Sequence, residues 1–152
     1  CAEEGIECIN LVDTQEDISL SKRTNKANDI HRKRSDKDGK SIYVSIHADA
    51  FNKESANGWS VYTSEGQTKS DIIARVLLDK ATEEFPDEKM RGHKESNFWV
   101  LRKTLMPAIL SENFFMTNYT NCHNYLLSEE GRDRIAKIHF EMIKEIEENK
   151  LV

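Results

Sequence analysis

The sequence predicts an α/β fold with three layers, in which a mostly parallel sheet is flanked by helices on both faces. Short runs of β-branched and aromatic residues, the clearest at residues 41–47, indicate buried strands. Longer segments with apolar residues at helical spacing, such as residues 69–85, lie between them. Helices of that length are typical crossovers between parallel strands, which is why the sheet is expected to be mostly parallel.

Each element is indicated by its own residues. The predicted strands are residues 6–12, 41–47, 59–63 and 107–112. The predicted helices are residues 19–34, 69–85 and 129–149, the second ended by Pro86 and the third capped by Ser128. The polar residues 91–94 are expected to form a loop, and residues 98–101 a short apolar segment.

Composition limits the classes of protein to consider. A length of 152 residues suits one hydrophobic core, so residues 1–152 are expected to form a single domain. The net charge of −5 provides no cationic field for nucleic acid, and no apolar stretch approaches the ~20 residues that span a membrane. The three cysteines form no metal-binding or disulfide pattern, and Cys8 and Cys122 are expected to be packing residues.

Two predicted strands end in residues that can do chemistry. His47 closes one strand and Glu112 closes another, and if these strands are parallel both side chains lie at the same end of the sheet. A histidine at a strand end is more often a packing or capping residue, whereas a glutamate after Pro-Ala-Ile-Leu enters apolar surroundings that penalise a charge. The pair indicates an imidazole metal ligand with a carboxylate base, as in zinc hydrolases.

A series of short motifs follows one order along nearly the whole chain. The motifs are Asp17-Ile-Ser-Leu20, Arg23, Ala27-Asn28, Ser45-Ile-His-Ala-Asp-Ala50, Gly58-Trp-Ser-Val-Tyr62, Arg91-Gly92, Phe98, Val100-Leu101, Pro107-Ala-Ile-Leu110 and Glu112 to Asn118. In these motifs and their order, the sequence resembles the zinc-dependent N-acetylmuramoyl-L-alanine amidase family of peptidoglycan amidases.

The resemblance implies a site and a reaction. It makes His47 a ligand of one zinc ion and Glu112 the catalytic acid/base in hydrolysis of the amide between N-acetylmuramic acid and L-alanine. The implied partner is peptidoglycan or a muropeptide, and no substrate-binding residue is assigned. Action in the cell envelope or outside the cell is expected, in the periplasm or the cell wall, although no signal segment is visible.

The sequence departs from the family pattern in two places. The two other zinc ligands of the family, a histidine and a glutamate, are expected upstream of Gly5, which predicts an N-terminally incomplete catalytic domain. Glu3, Glu4 and Glu7 are expected to be solvated surface residues rather than substitutes. Phe114 stands where the family commonly has glycine and is expected to reshape the pocket.

Two alternative functions stay open. A non-catalytic member of the same fold would bind cell-wall fragments or regulate a partner, and an unrelated metal-dependent hydrolase would keep the His47–Glu112 pair with another substrate. The remaining histidines are expected to have other roles: His93 in a solvated loop, His31 to Arg34 at a helix end, and His123 and His139 as structural residues.

Overall fold

The computed structural model describes residues 5–35 and 40–152, without the side chain of Ser35. The strands are β1 (Tyr43–Asp49), β2 (Trp59–Thr63), β3 (Met90–Glu95) and β4 (Ala108–Phe115). The helices are α1 (Leu20–Ser35), α2 (Lys69–Glu84), α3 (Trp99–Arg102), α4 (Tyr119–Asn121) and α5 (Glu129–Asn149), and a π-helical turn (Cys122–Leu127) joins α4 to α5. The expectation that Glu3 and Glu4 are solvated surface residues concerns positions outside the described residues.

The four strands form one mixed sheet in the order β1-β4-β2-β3. The pairs β1–β4 and β2–β3 are parallel, whereas β2 and β4 are antiparallel, so the expected mostly parallel sheet is confirmed. This topology brings the ends of β1 and β4 to the same side as the beginnings of β2 and β3. We call that side the site end of the sheet.

Helices cover both faces of the sheet, which confirms the three-layer prediction. On one face α2 and α5 pack over a core that includes Trp59, Ile73, Leu77 and Ile138. On the other face α1 and α3 cover a smaller core. Each large apolar side chain that is fully buried contributes about 1.5–3 kcal/mol, and this term holds the layers together.

Local signals in the sequence set the helix ends. Thr68 and Asp71 form a reciprocal capping box at the start of α2, and Ser128 caps α5 by accepting a hydrogen bond from the amide of Gly131. The predicted cap at Ser128 is therefore confirmed. None of the helices in the described ranges has the length and apolar character that crossing a membrane requires.

The predicted strand at residues 6–12 is wrong. This segment is irregular, and Ile9 and Val12 are exposed because no neighbouring strand pairs with it. The amide of Val12 instead donates a hydrogen bond to the side-chain oxygen of Asn10, and this local turn contact competes with strand pairing. Cys8, expected to pack, is exposed as well.

The expected loop at residues 91–94 is also wrong, because these residues lie within β3. Its polar side chains are tolerated because β3 is an outer strand of the sheet, where charged residues are common. Gly92 has a φ of 80°, and the β2–β3 register shifts between Trp59 and Ser60. This irregularity hides β3 from a simple alternating pattern.

Candidate active site

His47 and Glu112 are direct neighbours across the parallel strands β1 and β4. Tyr43 precedes His47 by four residues on β1 and belongs to the core beneath α1 and α3, so strand periodicity places His47 on that face. On β4, Leu110 belongs to the same core and precedes Glu112 by two residues, so Glu112 also lies on that face. The expectation that the two strand ends meet at one end of the sheet is confirmed.

Glu112 is partly buried, and its Oε2 atom is buried without a hydrogen-bond partner among the described residues. Burial, and then the nearby negative charge of Asp49, raises the pKa of Glu112 to about 7. A carboxyl group with that pKa exchanges a proton readily near neutral pH. This is the property required of a general acid/base.

Ser60 is the cross-strand partner of Glu112 on the other side, in the antiparallel pair β2–β4. Its side chain is 1% exposed, and its Oγ also lacks a hydrogen-bond partner in the described part of the chain. Sequence reasoning missed Ser60, since a serine inside a short strand carries no chemical signal of its own. The antiparallel register is what brings it to Glu112.

The imidazole of His47 is exposed on the same face. Its Nε2 atom lies 3.0 Å from the Oγ of Ser45. Partial desolvation, and then the positive charge of Arg23 on α1, lowers the pKa of His47. The ring is therefore kept neutral at pH 7, the form that binds a metal or accepts a proton.

The described residues do not by themselves fit a zinc site. Zinc in enzymes takes about three protein ligands. Within residues 5–35 and 40–152, no group of three or more histidine, cysteine, aspartate or glutamate side chains is arranged to hold a metal ion. The Nε2 atom of His47 also contacts Ser45.

A buried polar network supports the end of β1. The amide nitrogen of the Asn113 side chain donates to the carbonyl of His47 and to the Oγ of Ser111, both at 3.0 Å. Its oxygen accepts from the indole of Trp59 at 2.7 Å. Asn113 thus links three neighbouring strands beside the site, a role that its position after Glu112 does not reveal in the sequence.

The network continues into α5 through His139. Its Nε2 atom lies 2.8 Å from the Oγ of Ser111, and its Nδ1 atom lies 2.7 Å from the carbonyl of Ile135. Because a carbonyl only accepts, Nδ1 carries the proton and Nε2 accepts from Ser111. Burial lowers the pKa of His139, and the prediction of a structural histidine is confirmed.

Phe114 does not line the site, contrary to the expectation that it reshapes the pocket. Its backbone has a φ of 68°, a left-handed conformation that favours glycine. This turn sends its ring into the core on the opposite face, where it stacks on Tyr125 at 4.0 Å and meets Phe85 edge-on. The glycine that the resemblance implies at this position would adopt the same backbone angle without strain.

The other histidines lie outside the site. His93 is in β3, where its Nε2 atom is 2.7 Å from the Oγ1 of Thr63 at the far end of β2. His31 contacts Ser41, and His123 stacks on Tyr119. Glu7 is exposed and paired with Arg34 at the end of α1, which confirms that it is a surface residue.

A surface groove of about 760 Å³ lies away from the His47–Glu112 pair. It lies between the end of α2 and the start of α5. Arg134 and Lys137 there both form ion pairs with Glu84, so each of the two cations already has a carboxylate partner. The His47–Glu112 pair is therefore the candidate site.

The fold and the site together define a three-layer α/β protein that brings an imidazole and a partly buried carboxyl together where two parallel strands end. A family model described as N-acetylmuramoyl-L-alanine amidase matches residues 2–145. The chain belongs to the N-acetylmuramoyl-L-alanine amidase family, and the resemblance of its motifs is confirmed.

Individual relatives agree with this assignment. The chain is 34% identical over 122 residues to the N-acetylmuramoyl-L-alanine amidase CwlM of Bacillus licheniformis, covering 80% of this chain and 44% of the relative. It is 34% identical over 79 residues to the probable cell wall amidase LytH of Staphylococcus epidermidis, covering 52% of this chain and 26% of the relative. The chain thus spans less than half the length of these two relatives.

A solved structure has the same fold. The N-acetylmuramoyl-L-alanine amidase AmiC2 of Nostoc punctiforme superposes with a TM-score of 0.82 and 25% identity. The match covers 97% of this chain and 76% of that chain.

Proposed function

We propose that the protein hydrolyses the amide bond between the lactyl group of N-acetylmuramic acid and the L-alanine of the stem peptide in peptidoglycan. Residues 1–152 are part of a single catalytic domain that acts in the cell envelope or outside the cell. The observation that carries the proposal is the adjacency of His47 and Glu112 at the ends of β1 and β4. Membership of the amidase family and the cell-wall relatives support the substrate class.

Glu112 is the acid/base of the proposed reaction. Its carboxylate takes a proton from the attacking water, and the resulting carboxylic acid gives that proton to the nitrogen of L-alanine as the carbon–nitrogen bond breaks. The products are a lactyl carboxylate and a free amine. A pKa of about 7 suits both steps, because the group can accept and release a proton at neutral pH.

His47 is proposed as one ligand of the single zinc ion that the family resemblance implies. Since the described residues supply no three-ligand set, no step of the reaction is derived through that ion. Elemental analysis of the full-length protein tests this part separately from activity. We expect about one zinc per molecule, and a His47→Ala variant that retains full zinc occupancy contradicts the assignment.

A second candidate function is binding of cell-wall fragments without hydrolysis. It is favoured by one observation, the lack of a complete metal-ligand set among the described residues. A chain of this kind would bind muropeptides and release no peptide.

Peptide release from muropeptides, followed by mass spectrometry, separates the two functions. The full-length protein is expected to generate new L-alanine amino termini. Glu112→Gln should reduce the rate at least ~100-fold with the fold intact, because positioned acid/base groups contribute about 10²–10⁴-fold. Glu65→Gln, at an exposed loop position, is the matched control. An unchanged rate in Glu112→Gln contradicts the proposed mechanism, and binding without release supports the second function.

A further inference from the structure

Apolar and cationic side chains share the exposed surface of α3 and of the turn that follows it. Phe98 and Trp99 are each 38% exposed, and Leu105 is 56% exposed. Arg102 and Lys103 lie between them in the chain and are exposed as well. We call these five residues the α3 patch. Exposed apolar side chains that lie beside polar ones mark interaction sites in many proteins.

Contacts with α1 hold the α3 patch in place. The indole nitrogen of Trp99 donates a hydrogen bond to the Oγ1 of Thr24 at 3.4 Å. The side chain of Asn28 donates to the carbonyl of Lys103 at 2.8 Å and accepts from the amide of Leu105 at 2.9 Å. Because α1 fixes both the ring and the turn, the exposure of the patch is built into the fold.

The two cations of the patch flank the indole ring of Trp99. The guanidinium carbon of Arg102 lies 4.9 Å from the ring centroid, and the ammonium of Lys103 lies 5.6 Å from it. Neither cation forms an ion pair within residues 5–35 and 40–152. Both charges are therefore available to an anionic partner.

The helix beside the patch adds positive charge to the same layer. α1 contains six lysine and arginine residues and one acidic residue, Asp29. Four of these cations are paired with acids, whereas Lys22 and Lys33 are exposed and form no ion pair in the part of the chain that the structure describes. The chain as a whole has a net charge of −5, so its positive charge is concentrated on the α1–α3 layer.

The mixture of side chains in the patch favours a bilayer over a soluble polyanion. Aromatic rings beside arginine and lysine are typical of the membrane–water interface, where the rings enter the headgroup region and the cations meet lipid phosphates. A soluble phosphate polymer would satisfy the cations alone. It would leave Phe98 and Leu105 in water, so their exposure would have no counterpart in the partner.

We propose that the α3 patch docks the protein on the surface of a membrane that contains anionic phospholipids. Arg102 and Lys103 contact lipid phosphates, and the apolar members of the patch enter the headgroup region. The α3 patch lies in the surface of the fold, so the contact is peripheral and reversible. Docking does not depend on the proposed hydrolysis, because none of its five residues belongs to the His47–Glu112 pair.

Vesicle binding by the full-length protein tests the proposal without any catalytic step. The probes are vesicles of phosphatidylcholine alone and vesicles that also contain about 30% phosphatidylglycerol, compared by co-sedimentation. We expect binding to the anionic vesicles to be at least roughly 10-fold tighter at low ionic strength. This difference should disappear at about 0.5 M salt, because salt screens exposed charges.

Substitutions within the patch locate the contact. Arg102→Gln combined with Lys103→Gln should weaken binding to the anionic vesicles at least ~10-fold, because each cation near such a surface contributes about 5-fold. Leu105→Ser should weaken it roughly 5-fold, because the variant lacks an apolar side chain that leaves water on binding.

Matched control variants lie on α2, which covers the other face of the sheet. Lys69→Gln combined with Arg75→Gln removes two exposed cations, and Ile72→Ser removes an apolar side chain that is 42% exposed. These variants should bind the anionic vesicles as the unsubstituted protein does. Thermal unfolding of every variant checks that it is folded.

Equal binding of the unsubstituted protein to the two kinds of vesicle overturns the proposal. A folded variant without both cations that still binds the anionic vesicles at full strength overturns it too, and if that variant does not fold, Leu105→Ser decides in its place. Soluble poly(glycerol phosphate) is the competing partner. Binding of this polymer that needs Arg102 and Lys103 but is unchanged in Leu105→Ser, together with unchanged vesicle binding by Leu105→Ser, assigns the patch to phosphate polymers and overturns membrane docking.

Discussion

Ser60 of β2 lies directly opposite Glu112 of β4, and each side chain buries an oxygen atom that has no hydrogen-bond partner in the described part of the chain. Paired residues of antiparallel strands point to the same face, so the hydroxyl and the carboxyl share one partly dry region. Each unsatisfied buried group costs about 1–3 kcal/mol. The fold thus gives up stability at the position of the proposed acid/base.

Replacing Ser60 with alanine should therefore change the stability of the fold only slightly. We expect Ser60→Ala to change the free energy of unfolding by less than about 1 kcal/mol, because no hydrogen bond is lost. Ser111→Ala is the matched control, since this buried serine on β4 bonds both His139 and Asn113. The control should lose about 1–3 kcal/mol in urea unfolding. An equal loss in the two variants contradicts the prediction.

The stability of the metal-free protein should depend on the ionisation of Glu112. Its folded pKa of about 7 lies above the ordinary value of 4.5, so the folded state binds the proton more tightly than the unfolded state does. The stability that the folded state gains by holding this proton is fully present below about pH 4.5, and it is lost as the pH rises through about 7.

Glu112→Gln tests this dependence, because glutamine resembles the protonated acid at every pH. We expect similar unfolding free energies for the two proteins at pH 4.5 and a more stable variant at pH 8, by about 1–3 kcal/mol. Urea unfolding at both pH values provides the measurement. A variant that is less stable than the unsubstituted protein at pH 8 contradicts the raised pKa.

Much of the fold could be predicted from the sequence because local signals and burial agree in its central elements. The helix α5 follows its cap at Ser128 and buries an apolar stripe that includes Ile138 and Met142. The outer strand β3 was missed because its side chains are only partly buried and polar, so the alternation on which strand prediction depends is weak. The order of pairing, with β4 between β1 and β2, is a long-range property that periodicity does not contain.

The site could be predicted only as far as its strand ends. His47 and Glu112 were found because parallel strands bring their carboxyl ends together, and β1 and β4 do pair in this way. Ser60 and Asn113 could not be found, because their positions beside the pair depend on the antiparallel register and on side-chain direction. The Phe114 side chain points into the core because its φ is positive, and one sequence alone does not reveal that backbone angle.

Asn113 should act as a positioning residue for β1. Asn113→Ala leaves the indole nitrogen of Trp59 and the carbonyl of His47 without this partner, so we expect a loss of about 2–3 kcal/mol in urea unfolding. Backbone amide NMR signals near His47 should also shift, because its carbonyl loses the hydrogen bond from the Asn113 side chain. Asn149→Ala, which removes an exposed helix-end contact, should change stability by less than about 0.5 kcal/mol. Unmoved β1 signals would argue against positioning.

At Phe114, a glycine variant should be more stable than an alanine variant, the reverse of the usual order. Both Phe114→Ala and Phe114→Gly lose the buried ring, at a cost of about 3–5 kcal/mol. Alanine keeps a side chain at a φ of 68°, whereas glycine adopts that angle without strain, so the glycine variant should be the more stable by about 1 kcal/mol. At Phe115, which has no positive φ, the alanine variant should be the more stable of the pair. Urea unfolding of the four variants measures both differences, and the same ranking at the two positions would show that the left-handed backbone at Phe114 stores no strain.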